Sequence, residues 1–221
     1  AVTLPLPSAE RRRTSACARA AWSAAEQALS HSGFAAPEVN TVFTSSGGDG
    51  AILHLLCSAL ALPERAVSPT QFHNSVHNAP AGYFSIAHAS HAATTSLCHH
   101  SAPFAAGLLE AAVQVVTENR PVLLVGFDLA APFPLAPLWP AQQDFAVALV
   151  LAPAGNNALA HWQIAPQPGA ADAPPKHVDW ISGFVRSNAM AESLHLLAAL
   201  ASGTTLRHRL PYLDDLVLEV A

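Results

Sequence analysis

The chain alternates between stretches whose apolar residues have helical spacing and short apolar runs rich in β-branched residues. An alanine-rich stretch is preceded by Thr14, a capping residue, and followed by Gly33, a stop signal for a helix. The run NTVFTSS is β-branched and aromatic, which favours a buried strand. The elements predicted for the N-terminal part are helices at 14–31, 51–62 and 80–89, a strand at 40–46, a GGDG turn at 47–50 and a loop at 64–75.

The same alternation continues to the end of the chain. PVLLVGF at 121–127 is continuously apolar, as in a strand covered on both faces, and four prolines exclude regular structure at 131–141. The run at 158–166 is expected to pair with the strand before it through the turn AGNN. The remaining predicted elements are strands at 92–97, 144–153 and 215–221, helices at 102–118 and 188–202 (the latter capped by Asn188), and a flexible Pro/Ala-rich loop at 166–177. Strands that alternate with helices indicate an α/β fold with helices on both faces of a sheet.

Composition narrows the classes of function. Charged residues are 11% of the 221 residues, against about 25% in typical globular domains. So few charges favour a chain that is partly covered by another subunit, although a tightly packed monomer is the alternative. Lys and Arg total 10 and cluster only at Arg11–Arg13, so nucleic acid is excluded as a partner. No apolar run reaches the ~20 residues of a membrane span.

The three cysteines are Cys17, Cys57 and Cys98, an odd number without metal-type spacing. They predict free thiols in a reducing compartment. The start of the sequence lacks the basic end and long apolar core of a signal peptide. We therefore expect a cytoplasmic protein in which residues 1–221 form a single domain.

The stretch ATTSLCHHSA contains the main candidate for chemistry. A strand-type run stops at Cys98, and His99 and His100 lead directly into a helical pattern. A helix dipole lowers the pKa of a thiol near the helix N-terminus, and a neighbouring histidine can help to hold the thiolate. Cys98 is therefore a candidate acyl-accepting nucleophile, with His99 or His100 assisting. The alternative is a small buried apolar residue, which is the usual role of a free cysteine.

Histidines are dense in the middle of the chain. His73 and His77 are four residues apart, as in helical zinc pairs, and His88 and His91 have a similar relation. No Asp or Glu occurs at 71–109, although catalytic zinc sites often include a carboxylate. We predict no metal site and interpret these histidines as polar residues at a subunit interface. A His-rich metal-binding module remains an alternative.

Two further motifs have ordinary explanations. SSGGDG lies between a strand and a helix and matches neither the P-loop nor the dinucleotide fingerprint, so a tight turn is preferred over an anion-binding nest. Arg11–Arg13 form either a solvated face or a docking point for an acyl carrier protein. No G-x-S-x-G elbow is present, and no cofactor is predicted.

Three segments together resemble the N-terminal half of β-ketoacyl synthases, which have a thiolase-like fold: SPTQFHNSVHNAPAGYFSIAH, ATTSLCHHSAPFAAGLLEAAVQVV and PVLLVGFD. In that family the nucleophilic cysteine lies at the corner between a strand and a helix. The resemblance covers about residues 40–152. More narrowly, RRRTSACARAAWSAAEQAL with FHNSVHNAPAGY resembles the small chain-length-factor-type subunits of bacterial aryl polyene clusters, which pair with a complete ketosynthase.

The resemblance implies a thiolase-like half-fold with a mixed sheet and an incomplete catalytic set. The family's second half brings catalytic histidines in H-G-T-G-T and a G-F-G-G loop, and neither motif is present. His161, His177, His195 and His208 stand alone, and the chain after Pro153 is too short for a second half. We expect a non-catalytic auxiliary subunit in fatty acid or polyketide chain elongation.

The resemblance also implies a partner. We expect a heteromer with a ketosynthase, or self-association, with an acyl carrier protein as a further candidate. A condensing enzyme that uses Cys98 is the alternative. In the family, the dimer interface includes the catalytic strand and the segment before it. The resemblance places these residues near that interface: Phe72, His73, Asn74, Val76, His77, Asn78, Ala93, Thr95 and Leu97.

Overall fold

The computed structural model describes residues 12–155, 158–172, 179–204 and 207–221. The helices are α1 (Ala16–Ser32), α2 (Gly50–Ala61), α3 (Pro69–Asn74), α4 (Ala79–Ala87), α5 (Pro103–Glu118), α6 (Asp179–Ser187) and α7 (Ser193–Ser202). The strands are β1 (Asn40–Ser45), β2 (Thr94–Cys98), β3 (Val122–Asp128), β4 (Phe145–Leu151), β5 (Ile164–Pro168), β6 (His208–Leu213) and β7 (Leu216–Val220). Short 3₁₀ helices occupy Ala36–Glu38, Ala136–Leu138 and Ala189–Glu192.

The main sheet is mixed and has the strand order β2-β1-β3-β4. Strand β1 is parallel to both of its neighbours, whereas β4 is antiparallel to β3. Ser45 is in register with Cys98, and Thr44 is in register with Gly126. The carboxyl ends of β1, β2 and β3 therefore meet at one edge of the sheet.

Helices cover both faces of this sheet, as the sequence predicts. Phe43 and Val125 point to one face, where they pack in a buried cluster with α1 and α4. Val42 and Leu124 alternate to the other face, where they pack with α5. Gly107 allows α5 to lie close to β1, because a Cβ at this position would be 2.5 Å from Cγ2 of Thr44.

A second sheet of three antiparallel strands, in the order β5-β7-β6, covers the α5 side. The prediction that 158–166 pairs with β4 is wrong, because β5 pairs with β7 instead. Trp162 and Ile164 pack against the same buried cluster as Leu210 and Leu218. Burial of this apolar face against the core explains the different pairing.

Two predicted loops need correction. Residues 64–75 contain α3, because Ser68 caps it by accepting a hydrogen bond from the Gln71 amide and Pro69 fits its first turn. The loop predicted at 166–177 begins later, since β5 continues to Pro168 by pairing with Leu216. Residues 173–177 of that predicted loop lie outside the described residues.

Strand β6 and helix α6 have no counterpart among the predicted elements. The helix predicted at 188–202 begins as a 3₁₀ turn, in which Asn188 caps the Met190 amide, and continues as α7. Within the described ranges, no helix combines the length and apolarity needed to cross a bilayer.

Candidate functional site

Cys98 lies at the carboxyl edge of the main sheet, as the last residue of β2. Its Sγ is 3.3 Å from the hydroxyl oxygen of Ser45, the last residue of β1. That hydroxyl also accepts a hydrogen bond of 2.9 Å from the Gly48 amide. Four residues separate Cys98 from the start of α5, so the predicted corner between strand and helix is present.

The surroundings of Cys98 do not favour a thiolate. Partial burial of the sulfur raises the pKa of Cys98, and the negative charge of Asp128 raises it further. Hydrogen bonds from Ser45 and from the Gly48 backbone lower that pKa, but by less than burial raises it. The thiol is solvent-exposed, yet it is mainly protonated at neutral pH.

The two histidines after Cys98 are used in other ways. Nδ1 of His99 accepts a hydrogen bond of 3.1 Å from the Ala102 amide, and its ring packs against Tyr212 with a centroid distance of 5.8 Å. His100 is exposed, and its electrostatic effect lowers the pKa of Asp128. Among the described residues, no histidine nitrogen hydrogen-bonds to Cys98 Sγ.

Asp128, at the end of β3, is a buried carboxyl group that the sequence prediction missed. It accepts hydrogen bonds of 2.8 Å from the Ser46 amide and 2.7 Å from the Ser46 hydroxyl. Its side chain has no exposed surface, and burial raises the pKa of Asp128 to about 6 despite these hydrogen bonds. A single acidic residue at the end of a continuously apolar strand is the sequence signal that identifies it.

The SSGGDG segment forms a turn, which agrees with the preferred interpretation. Gly48 has a φ of 76°, in the left-handed region that disfavours other residues, and Gly50 begins α2 in contact with Trp139.

 Asp49 caps α2 by accepting a hydrogen bond of 3.0 Å from the Ile52 amide. An aspartate in this position supplies the negative charge that an anion would bring, so the turn is not a nest for an anionic ligand.

The residues predicted to lie near a partner are mostly on the surface. Phe72 is 65% exposed and Val76 is 49% exposed, and both belong to or follow α3. Asn74 is the exception, because it is buried and its side chain bonds the Arg13 carbonyl and the Tyr83 hydroxyl. The exposed or half-buried members of the predicted set are Phe72, His73, Val76, His77, Asn78, Ala93, Thr95 and Leu97.

Helix α2 adds a large apolar surface that the prediction did not assign to an interface. Gly50 is its one buried residue, although the helix is apolar along nearly its whole length. Leu53, Cys57 and Leu60 have the spacing of a single helix face, and all three are exposed. We call these three residues the α2 stripe.

The predicted histidine pairs do not form metal sites. Helix α3 ends at Asn74, so His73 and His77 do not share a helix face. His73 packs its ring against Tyr83 with a centroid distance of 5.9 Å. Nε2 of His88 lies 2.6 Å from a Glu26 carboxylate oxygen, so this histidine has a partner on α1 rather than a metal-type partner in His91.

A different group of potential metal ligands lies beneath the second sheet. Within the described residues, Glu192, His195 and His208 place one ligand atom each within 4.8 Å of one another. The two imidazole rings have a centroid distance of 5.0 Å. Both histidines stand alone in the sequence, because thirteen positions and a change of element separate His195 from His208. The Glu-x-x-His spacing at 192–195 is the local signal that was available.

Comparison with known proteins identifies the fold. The sequence profile of the family described as "Beta-ketoacyl synthase, N-terminal domain" matches residues 2–211. A structure from Xenorhabdus doucetiae, of the ketosynthase ApeO in complex with its chain length factor ApeC, matches with a TM-score of 0.73 and 22% identity. The match covers 98% of this chain and 81% of that one.

A second solved structure, a β-ketoacyl synthase from Burkholderia phymatum STM815, matches with a TM-score of 0.58 and 14% identity. This match covers 86% of the present chain but 57% of the other, so the present chain spans little more than half of that protein. No curated protein matches the sequence. The two structures share the thiolase-like ketosynthase fold with this chain, and the predicted mixed sheet with helices on both faces is confirmed.

Proposed function

This chain belongs to the β-ketoacyl synthase family, through its N-terminal domain, and we propose that it is an auxiliary, non-catalytic subunit that pairs with a complete ketosynthase. In this role it would shape the tunnel for a growing acyl or polyene chain. The observation that carries the proposal is the exposed apolar surface of α2 and α3, together with an edge strand, β2, that pairs with β1 alone among the described strands.

The chemistry of condensation supports the auxiliary role. A Claisen condensation needs an acylated cysteine, together with groups that stabilise the charge that develops on the extender unit. Cys98 has a raised pKa, and no histidine of the described chain hydrogen-bonds to its sulfur. The described residues therefore offer an acyl acceptor at most, without the base and the charge stabilisation that the reaction requires.

The proposed interface has the physical properties of a surface that is covered in an assembly. Strand β2 lies at the edge of the main sheet and pairs only with β1 among the described strands. An unpaired edge offers a row of backbone donors and acceptors to another chain. The α2 stripe and Phe72 add exposed apolar area, which monomeric proteins rarely leave in large patches.

We assign a ketosynthase as the occupant of this surface. The Xenorhabdus doucetiae structure contains a ketosynthase bound to its chain length factor, and its fold is shared by this chain. The segment resemblance to chain-length-factor-type subunits of aryl polyene clusters makes that pathway the proposed context. An acyl carrier protein that delivers the chain, and a cytoplasmic location, complete the proposal.

Co-expression with the ketosynthase of the same gene cluster tests the pairing. Size-exclusion chromatography with light scattering should show a heteromer of defined mass. Leu60→Glu introduces a charge into the α2 stripe and should weaken the complex at least tenfold, because a buried carboxylate without a partner is costly. Leu159→Glu is the matched control, since Leu159 is 95% exposed and lies outside the proposed interface.

The outcomes test separately which protein is the partner and which surface it binds. Separate elution of the two proteins at every ratio would refute the pairing, and a homodimer of this chain in place of the heteromer would identify a second copy as the occupant. A stable complex that tolerates Leu60→Glu as well as Leu159→Glu would show that the partner binds elsewhere.

Acyl transfer through Cys98 is the second candidate function. It is favoured by the exposed position of the thiol and by the two donors, Ser45 and the Gly48 amide, that approach it. In this reaction the Cys98 thiolate attacks the carbonyl of a carrier thioester and forms a new thioester, and the carrier thiol leaves and takes up a proton. Incubation with acyl-loaded carrier protein followed by intact-mass measurement tests it.

A stable adduct that is absent in Cys98→Ala would make this chain a transferase. An adduct found only on the ketosynthase, and only when both subunits are present, would support the auxiliary role. Cys57 provides an exposed control thiol on the same chain.

A further inference from the structure

The geometry points to a divalent transition-metal site formed by Glu192, His195 and His208, and we propose Zn²⁺ as the ion that it takes. The site shares no residue with the Cys98 site or with the proposed interface. It joins the segment at the start of α7 to strand β6 of the second sheet.

The three side chains form a converging donor set. One ligand atom from each lies within 4.8 Å of the other two, and Nε2 of His195 is 3.9 Å from a Glu192 carboxylate oxygen. Zinc bonds of about 2.0–2.1 Å in tetrahedral geometry bring ligand atoms to about 3.3 Å from one another. Side-chain adjustments of about 1 Å would therefore close the set around an ion.

Two buried nitrogens in this cluster lack hydrogen-bond partners. His195 is 5% exposed and His208 is 4% exposed. Nε2 of each ring has no hydrogen-bond partner among the described residues. Buried polar atoms are nearly always bonded, and unpartnered ones require an explanation. A metal ion bound by both nitrogens would supply it.

The surroundings also fit a metal site. Nδ1 of His208 faces a carboxylate oxygen of Asp172 at 3.7 Å, and the same oxygen accepts a hydrogen bond of 2.9 Å from the Arg209 amide. Metal-bound histidines usually turn their other ring nitrogen toward a carboxylate, which fixes the tautomer and the ring orientation. Asp172 is therefore placed to hold Nδ1 of His208, which leaves Nε2 as the nitrogen available to an ion.

The donor chemistry selects the class of metal. Two imidazoles and one carboxylate suit zinc and its neighbours in the transition series, and the same ligand set occurs in known zinc sites. Calcium and magnesium require mainly oxygen donors and do not fit. Because the histidines are buried between two elements, the ion would stabilise the attachment of the second sheet to the core.

Metal titration of the tag-free chain tests the proposal. The protein is treated with a chelator, desalted and titrated with Zn²⁺ in competition with a chromophoric chelator. We expect one Zn²⁺ per chain and a rise in unfolding temperature of about 5–10 °C when free Zn²⁺ is 100-fold above its Kd. Co²⁺ in place of Zn²⁺ should give the visible absorption bands of a low-coordinate site.

Three variants and one control locate the ion. His195→Gln and His208→Gln should each weaken binding at least a hundredfold, and Glu192→Gln at least tenfold. Glu192 is partly exposed, so its variant keeps the test valid if the two histidine variants do not fold by circular dichroism. His73→Gln is the control, because His73 is exposed and outside the cluster.

Stoichiometric binding that is lost in these variants and retained in His73→Gln would establish the site. The proposal is overturned by a wild-type chain that binds no Zn²⁺. It is equally overturned by a folded Glu192→Gln variant that binds Zn²⁺ as tightly as the wild type. A His73→Gln variant that loses as much Zn²⁺ affinity as the cluster variants would also overturn it.

Discussion

Helices α1 and α2 are both rich in apolar residues, but α1 is buried along one face and α2 is exposed or half-buried along nearly its whole length. Helix α1 packs on β3 and β4 and buries a full face. Helix α2 is the more apolar of the two in sequence, yet Gly50 is its one buried residue. The buried residues of α1 are Cys17, Ala18, Ala21, Trp22, Ala25 and Leu29.

The contrast shows that hydrophobic content does not determine which helix forms the core of this chain. Burying a leucine side chain stabilises a folded or bound state by about 1.5–3 kcal/mol. The apolar side chains of α1 contribute this free energy to folding, whereas those of α2 remain largely exposed and do not. The free energy of burying the exposed α2 side chains is therefore available for association with a partner. The α2 stripe is therefore the surface where a partner should gain most of its binding free energy.

The largest expected effect is on the buried side of this comparison. Trp22 is 1% exposed, and its indole N–H donates a hydrogen bond of 2.6 Å to Glu26. Trp22→Ala should lower the free energy of unfolding by about 3–5 kcal/mol, because it leaves a cavity in the core. Urea denaturation of the isolated chain measures this. A loss below about 1 kcal/mol would mean that α1 is not part of the core.

Each helix contains one cysteine, so the reactivity of each thiol measures how accessible that helix is to solvent. Cys17 of α1 is buried, and burial together with Asp49 raises the pKa of its thiol strongly, whereas Cys57 of α2 is exposed. Iodoacetamide at neutral pH should modify Cys57 at least ~100-fold faster than Cys17. Binding of the proposed ketosynthase partner should then protect Cys57.

Peptide mass mapping over time gives both rates and also the rate at Cys98. Equal rates at Cys17 and Cys57 would remove the difference between the two helices. Protection of Cys98 without protection of Cys57 would shift the interface toward the edge of the sheet.

A smaller effect on the free energy of unfolding is expected from Asp128, the carboxyl group buried beside α1. The pKa of Asp128 is about 6, above its ordinary value of 3.8, so the folded state holds the proton more tightly than the unfolded state. The resulting stabilisation is fully present below pH 3.8 and is lost as the pH rises through about 6. Asp128→Asn keeps a neutral group that can bond both the amide and the hydroxyl of Ser46.

Asp128→Asn should therefore be more stable than the wild type at pH 7, by about 1–3 kcal/mol, and should lose this advantage near pH 4. Thermal unfolding of both proteins between pH 4 and pH 8 measures the difference. A constant difference across this range would show that Asp128 does not titrate in it.

The smallest effect is expected on α2. Leu55 is 44% exposed, and Leu55→Ala should change the stability of the isolated chain by less than about 0.5 kcal/mol. The same denaturation measurement as for Trp22→Ala makes the two values comparable. A loss above about 1.5 kcal/mol would place Leu55 in a core of this chain and contradict the contrast.

The sequence predicts those elements whose signals are local. Helix α1 ends before Gly33 and β3 is a continuous apolar run, so the bounds of both were predicted to within one or two residues. The predicted cap Thr14 is wrong, because the hydroxyl of Ser15 accepts the hydrogen bond from the Ala18 amide and caps the helix. Helix α3 was missed because six residues are too few to show a helical period, and only the cap at Ser68 indicates it.

The candidate site was predicted in part. Cys98 lies at the expected corner, since the end of a short β-type run can be read from neighbouring residues. The contact with Ser45 depends on the parallel register of β1 and β2, and strand register between distant segments has no local signal. For the same reason Asp128, which is bonded to Ser46 just after the end of β1, was not predicted.

By itself the sequence determined most of the strands and helices of the main sheet, the resemblance to the ketosynthase family and the position of the thiol. Each of these depends on residues that are close together along the chain. Only the tertiary structure decided that α2 remains uncovered and that His195 meets His208 beside Glu192. Burial and ligand convergence depend on which distant segments pack together, and hydrophobic and polar patterns within one segment do not contain that information.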